Sequence, residues 1–161
     1  MTNRFEKILN EIKDSQELIC IYRNHNQTDS FYVGLIKGID DKNILMEVFD
    51  KKGERDGYVL FRKSMVFLVE TQNEYIRKIQ EKITKPSDNR INSIESFWDN
   101  LVKGNLLTEI ELLESGFVDV RGCVLGIQEG ILQIRVMTDD EQPDGEAFCA
   151  ISDISKIDMI I

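Results

Sequence analysis

The chain repeats itself. Sliding the sequence along itself by 88 residues pairs Gly34 with Gly122, Gly38 with Gly126 and Asp56-Gly57 with Asp144-Gly145. The same displacement pairs Ile39 with Ile127, and the alternating Ile44, Met46, Val48 with Leu132, Ile134, Val136. It continues through Leu60/Phe148, Val66/Ile154 and Val69/Ile157. A displacement of 89 aligns the segments before these blocks, Asn3-x-Phe-Glu-x-Ile-Leu with Asn92-x-Ile-Glu-x-Phe-Trp. A fold for this chain must therefore build one unit twice. The expected division is residues 1–85 and 86–161, two units of roughly 80 residues that each bury a small core with little margin.

One repeat can be read element by element. Asn3 and Glu6 have the spacing of an N-cap and its N3 partner, and Phe5, Ile8, Leu9 and Ile12 form one apolar stripe of a helix. Asn92, Glu95 and the stripe Ile94, Phe97, Trp98, Leu101 repeat the device. Leu18–Tyr22 reads as a strand, followed by a polar loop from Asn24 to Ser30 and a second strand, Phe31–Ile39. Gly34 and Gly38 lie inside that second strand, as Gly122 and Gly126 do in the other copy. Glycines so placed mark a bend or bulge, of the kind that closure of a small barrel needs. Ile44–Phe49, Tyr58–Arg62 and Met65–Val69 complete five short strands, with turn chemistry at Asp40-Asp-Lys-Asn43 and Asp56-Gly57. Tyr75, Ile76, Ile79 and Ile83 predict a connecting helix that Lys85-Pro86 stops. Leu106–Leu113 fits a strand or a short helix equally.

Charge divides unevenly between the copies. Residues 1–85 carry 15 Lys/Arg and 14 Asp/Glu, a net of +1, whereas residues 86–161 carry 5 and 15, a net of −10. So acidic a second unit repels nucleic acid and suits a basic partner. Cys20, Cys123 and Cys149 sit singly in apolar runs, which implies reduced, buried thiols and a cytoplasmic protein. No apolar run reaches the ~18 residues that a membrane helix requires, and the first residues have no signal-peptide pattern.

Val33-Gly-Leu-Ile-Lys-Gly-Ile-Asp-Asp-Lys-Asn-Ile-Leu45 resembles the first motif of the Sm-like proteins, and Val59-Leu-Phe-Arg-Lys-Ser-Met-Val66 resembles their second. With the preceding helix, the similarity covers about residues 3–70. The resemblance implies a mainly β chain of two tandem Sm-like/SH3-like five-stranded antiparallel small barrels. Each would follow an N-terminal helix, with the connecting helix between them. It further implies RNA binding in which Asn43 and Arg62 hold a base, Asp40 or Asp41 orients Asn43, and Lys63 stands where the family has glycine. The second copy carries Gly130 or Ile131 near the Asn position and Ala150 at the Arg position. A pair with one blank site cannot form a ring of equivalent base pockets.

Chemistry of other kinds finds little footing. The one histidine, His25, falls in a polar loop with no nucleophile at a telling distance, so no catalytic residue is assigned. Thr138–Glu146 holds five acids in nine residues but lacks the alternate spacing of a calcium loop, and reads as a hairpin tip. No phosphate-binding glycine motif occurs, and no metal or cofactor is expected. The resulting expectation is a non-enzymatic protein–protein interaction module. Its partner would be a basic protein or a second copy, with no DNA and no membrane. RNA binding through Asn43, Arg62 and Lys63 is the alternative.

Overall fold

A computed structural model describes residues 5–87 and 89–161. The capping role expected of Asn3 lies outside the described residues. The first repeat forms helix α1 (Glu6–Ser15) and strands β1 (Ile19–Tyr22), β2 (Tyr32–Ile39), β3 (Asn43–Phe49), β4 (Arg55–Arg62) and β5 (Leu68–Thr71). Helix α2 (Glu74–Lys82) follows. The second repeat forms α3 (Ile94–Lys103), β6 (Leu107–Leu112), β7 (Val120–Gln128), β8 (Ile131–Met137), β9 (Pro143–Ala150) and β10 (Ile154–Ile160). The ambiguous stretch Leu106–Leu113 is thus largely β6.

Among the described residues, the strands form one open ten-stranded antiparallel sheet in the order β5-β1-β2-β3-β4-β10-β6-β7-β8-β9. The two closed barrels expected from the sequence do not form. Closure would require β4 to pair with β5 of its own repeat, and β9 with β10. Instead β4 takes β10 of the other repeat, in the register Phe61↔Lys156, Leu60↔Ile157, Val59↔Asp158, Tyr58↔Met159, Gly57↔Ile160. The strand that would seal one unit joins the two, leaving β5 and β9 as the outer edges. Helix α2 packs on the first repeat, where Ile76 and Ile79 are buried.

The bend predicted from the glycines is present in both copies. A Cβ on Gly34 would lie 2.0 Å from the Glu47 carbonyl oxygen, and one on Gly122 would lie 2.0 Å from that of Arg135. Only glycine lets the neighbouring strand approach so closely. Three residues on, the pairing slips between Ile36 and Gly38 and again between Val124 and Gly126, a bulge that sharpens the local twist.

Three apolar clusters hold the sheet. Under α1, Leu9 and Ile12 pack on Ile19, Ile21, Ile36, Ile44, Met46, Val59, Phe61 and Val66. On the opposite face α2 covers Leu18, Cys20, Val33 and Phe49. The third lies under α3, where Phe97 and Leu101 meet Ile110, Val124, Leu132, Ile134 and Ile157, with Leu45, Tyr58 and Leu60 contributed by the first repeat. Each such side chain stabilises the fold by roughly 1.5–3 kcal/mol through removal from water. The start of α3 is capped one residue later than the sequence predicts. Ser93 Oγ accepts from the Ser96 amide at 3.0 Å, and Ser96 Oγ accepts from the Ser93 amide at 3.0 Å. The Asn92 amide also donates to Ser96 Oγ at 3.1 Å, but the side chains of Asn92 and Glu95 stay outside this pair. Among the described residues, no helix is long and apolar enough to cross a membrane.

Candidate functional site

The turn between β2 and β3 and the end of β4 bring Asn43, Arg62 and Lys63 together. Asn43 and Arg62 are directly opposed across the β3–β4 ladder. Asp40 organises the turn: its Oδ1 accepts from the amides of Lys42 at 2.9 Å and Asn43 at 2.6 Å. Asp41 makes no such bond to Asn43 among the described contacts. Both cations of the trio are engaged by acceptors of the protein itself. Lys63 is buried, its Nζ donating to the Asp40 carbonyl at 3.0 Å and to Glu6 Oε1 at 3.3 Å. Arg62 Nη2 donates to the Ser152 carbonyl, and Nη1 lies 3.9 Å from Glu114 Oε1. Lys37, in the same sequence motif, donates to Ser87 Oγ. Positive and negative groups therefore alternate here, and both partners of Arg62 come from the second repeat.

A second polar cluster, invisible to sequence spacing, lies where the repeats meet. Arg23 and Glu111 are both almost fully buried, with Nη2–Oε1 at 2.6 Å and Nη1–Oε2 at 3.3 Å. Ser155 Oγ donates to the same Oε1 at 2.6 Å. Burial alone would raise the Glu111 carboxyl, but the hydrogen bonds from Arg23 and Ser155 outweigh it and hold it below its ordinary value. Beside this pair, Lys156 Nζ sits 3.0 Å from Asp158 Oδ2, and Tyr32 Oη is 3.4 Å from Asp158 Oδ1. Burial, followed by the charge of Asp158, pushes the Tyr32 phenol up to about 12. A small cavity of ≈ 150 Å³ adjoins the cluster, lined by Arg23, Tyr32, Lys156 and the exposed Phe117. Each charge facing it has a partner of opposite sign, and the Arg23–Glu111 pair joins the two repeats at the junction.

The third feature is apolar. Ile127, Ile131 and Phe148 are 39%, 41% and 64% exposed and line a groove of ≈ 300 Å³ with Gly126, Gln128, Glu129 and Gln133. It lies along β7–β9, at one free end of the sheet. The acidic stretch Thr138–Glu146 spans the tight β8–β9 connection and the start of β9, with the Thr138 amide donating to the Gln142 carbonyl at 2.9 Å. His25 Nε2 is 3.0 Å from the Met65 carbonyl oxygen and its ring packs beside Phe67 at 5.4 Å. Among the described residues no group of three His, Cys, Asp or Glu side chains is arranged to hold a metal ion. The apolar groove was readable only as an alignment of Phe148 with Leu60 and Ile127 with Ile39. Nothing in the sequence separates the more covered member of each pair from the exposed one.

Comparison with known proteins yields no match to a family model, to a curated protein or to a solved structure.

Proposed function

We propose that this protein is a non-enzymatic protein–protein interaction module that works in the cytoplasm. The observation that carries the reading is the uncovered end of the second repeat. There, an unpaired β9 edge adjoins the apolar groove of Ile127, Ile131 and Phe148. An open strand edge offers backbone donors and acceptors to an incoming strand, and an adjoining apolar groove supplies side-chain contacts. The −10 charge of residues 86–161 favours a partner surface of neutral or positive charge. Three free cysteines, Cys20, Cys123 and Cys149, suit a reducing compartment. The test is capture of binding proteins by the immobilised chain at low and moderate salt, alongside Phe148→Asp. A partner held by the wild type and released by Phe148→Asp is the expected result. Capture that is indifferent to Phe148, or none at all, overturns the reading.

A second reading, RNA binding, draws support from one observation, the cross-strand placement of Asn43 opposite Arg62. It predicts salt-sensitive anisotropy of labelled single-stranded RNA that Arg62→Ala abolishes. The protein partners that already engage Arg62 and Lys63 weigh against it.

A further inference from the structure

The cavity at the junction has a sign of charge and a wall that the fold itself does not use. It lies where the β1–β2 loop (23–31) meets the β6–β7 loop (113–119), and Asn26 Nδ2 donates across to the Ser115 carbonyl at 3.1 Å. Its charged lining residues are Arg23 and Lys156, both cations, and among the described residues no Asp or Glu lines it. The whole chain, by contrast, carries a net charge of −9. Glu111 and Asp158 hold these two cations from outside the wall without exhausting their donors. Both Nη atoms of Arg23 donate to Glu111, but its buried Nε has no acceptor among the described residues. Lys156 Nζ lies 3.0 Å from Asp158 Oδ2, and an ammonium carries three N–H donors. Tyr32 adds a hydroxyl donor that keeps its proton at neutral pH, since burial pushes the phenol up to about 12.

The remainder of the wall is largely apolar and aromatic, with Phe31, Phe117 and Val118 beside the Tyr32 ring. Phe117 is 70% exposed and Val118 46%, although the loop that carries them is firmly bonded. Asp119 Oδ2 accepts from the Leu112 amide at 2.8 Å and from Ser115 Oγ at 2.5 Å, and Ser155 Oγ accepts from the Glu114 amide at 3.0 Å. The loop thus holds two apolar side chains beside the cavity and out of the core, a placement that marks a binding surface. We propose that this cavity binds a small aromatic carboxylate, with its anion toward Arg23 and Lys156 and its ring against Phe117 and Phe31. A volume of ≈ 150 Å³ has room for one benzene-sized body and none for a strand or helix of a partner. A carboxylate suits the spare donors better than a neutral group does, because charge-assisted hydrogen bonds are about twice as strong as neutral ones. A ring suits the aromatic wall, where tilted and stacked contacts add to simple burial. The cavity shares no lining residue with the groove along β7–β9, so the inference does not depend on the protein-interaction reading.

Titration of the full chain with sodium benzoate, followed through its backbone amides by heteronuclear NMR, tests the proposal. The expected result is a saturable shift confined to residues 23–32, residues 113–119 and the surroundings of Lys156. Benzamide, the same ring without the charge, binds at least about tenfold more weakly. Lys156→Gln weakens benzoate binding by about tenfold. That variant also removes the partner of Asp158, so Phe117→Ala, at an exposed position, is the one that decides. It leaves the fold intact and weakens benzoate binding about fivefold. No saturable shift at benzoate concentrations on the order of 10 mM overturns the proposal. So does benzamide binding as tightly as benzoate, which removes the anion from the argument. Inorganic phosphate binding as tightly as benzoate, or benzoate binding indifferent to Phe117, overturns it by removing the ring.

Discussion

Glu111 and Arg23 set the clearest expectation at the level of single residues. Their buried pair joins β6 to the loop after β1, across 88 positions of sequence. Removing one member leaves an uncompensated buried charge, so Glu111→Ala should cost about 3–5 kcal/mol of stability in urea unfolding. Replacing both, as in Arg23→Met with Glu111→Leu, should cost much less, because the desolvation of two charges is removed with their attraction. A double variant as unstable as Glu111→Ala would refute that. The pH dependence follows from the depressed Glu111 carboxyl. In the unfolded chain this group binds its proton near its ordinary value of 4.5, and in the folded chain only at lower pH. Its stabilisation is therefore complete above that value and is lost as pH falls through the folded one. Glu111→Gln should flatten the acid limb of the stability profile, and an unchanged limb would show that other carboxylates govern it. None of this was legible in the sequence. Arg23 follows the first strand run and Glu111 stands in a stretch that fits strand or helix equally, so each charge reads as solvent-facing, and only tertiary pairing buries them. Glu47 makes the same point, being fully buried yet accepting a hydrogen bond from Tyr58 Oη at 3.0 Å and ion-paired with Arg55, whose Nε lies 3.3 Å away.

At the level of elements, most helices and strands fell within a residue or two of where periodicity put them, since 3.6- and 2-residue patterns reflect which face is covered. Two expectations failed: β4 begins at Arg55, so Asp56-Gly57 lies inside the strand and the turn sits at Asp50–Gly53, and β5 begins at Leu68 because Lys63–Met65 form a 3₁₀ turn. The cap of α3 was misplaced because Asn92–Glu95 and Ser93–Ser96 offer the same spacing one step apart, and geometry chose the serines. Ser93→Ala should therefore destabilise the protein by about 1 kcal/mol in thermal or urea unfolding, while Asn92→Ala changes it by a few tenths at most. The reverse ranking would restore the asparagine cap. The glycines of the bent strands give a harsher test. A methyl at Gly34 must displace a strand carbonyl 2.0 Å away, so Gly34→Ala should cost more than 3 kcal/mol or prevent folding. Gly126→Ala, which meets nothing within 4 Å, should stay within about 1 kcal/mol of wild type in the single chain.

For the whole molecule, the decisive question is which strand seals which edge, and a repeat hides the answer. Residues of β4 look the same whether the strand paired with its own β5 or with β10 of the other copy, because both partners share one pattern. Duplication was therefore readable, while the open sheet was not. The consequence is energetic. Leu45, Tyr58 and Leu60 of the first repeat lie in the cluster under α3 of the second, so neither half has a complete core without the other. The chain should unfold in one cooperative step. Trp98, the one tryptophan, packs against that cluster in the second repeat and reports on it by fluorescence, whereas far-ultraviolet dichroism reports on both halves. Leu60→Ala, in the first repeat and 3% exposed, should lower stability by about 2–5 kcal/mol. It should move the fluorescence and dichroism midpoints together. Separate midpoints, or a Trp98 transition indifferent to Leu60, would mean that the two repeats stand as independent units and that the β4–β10 ladder contributes little to holding them.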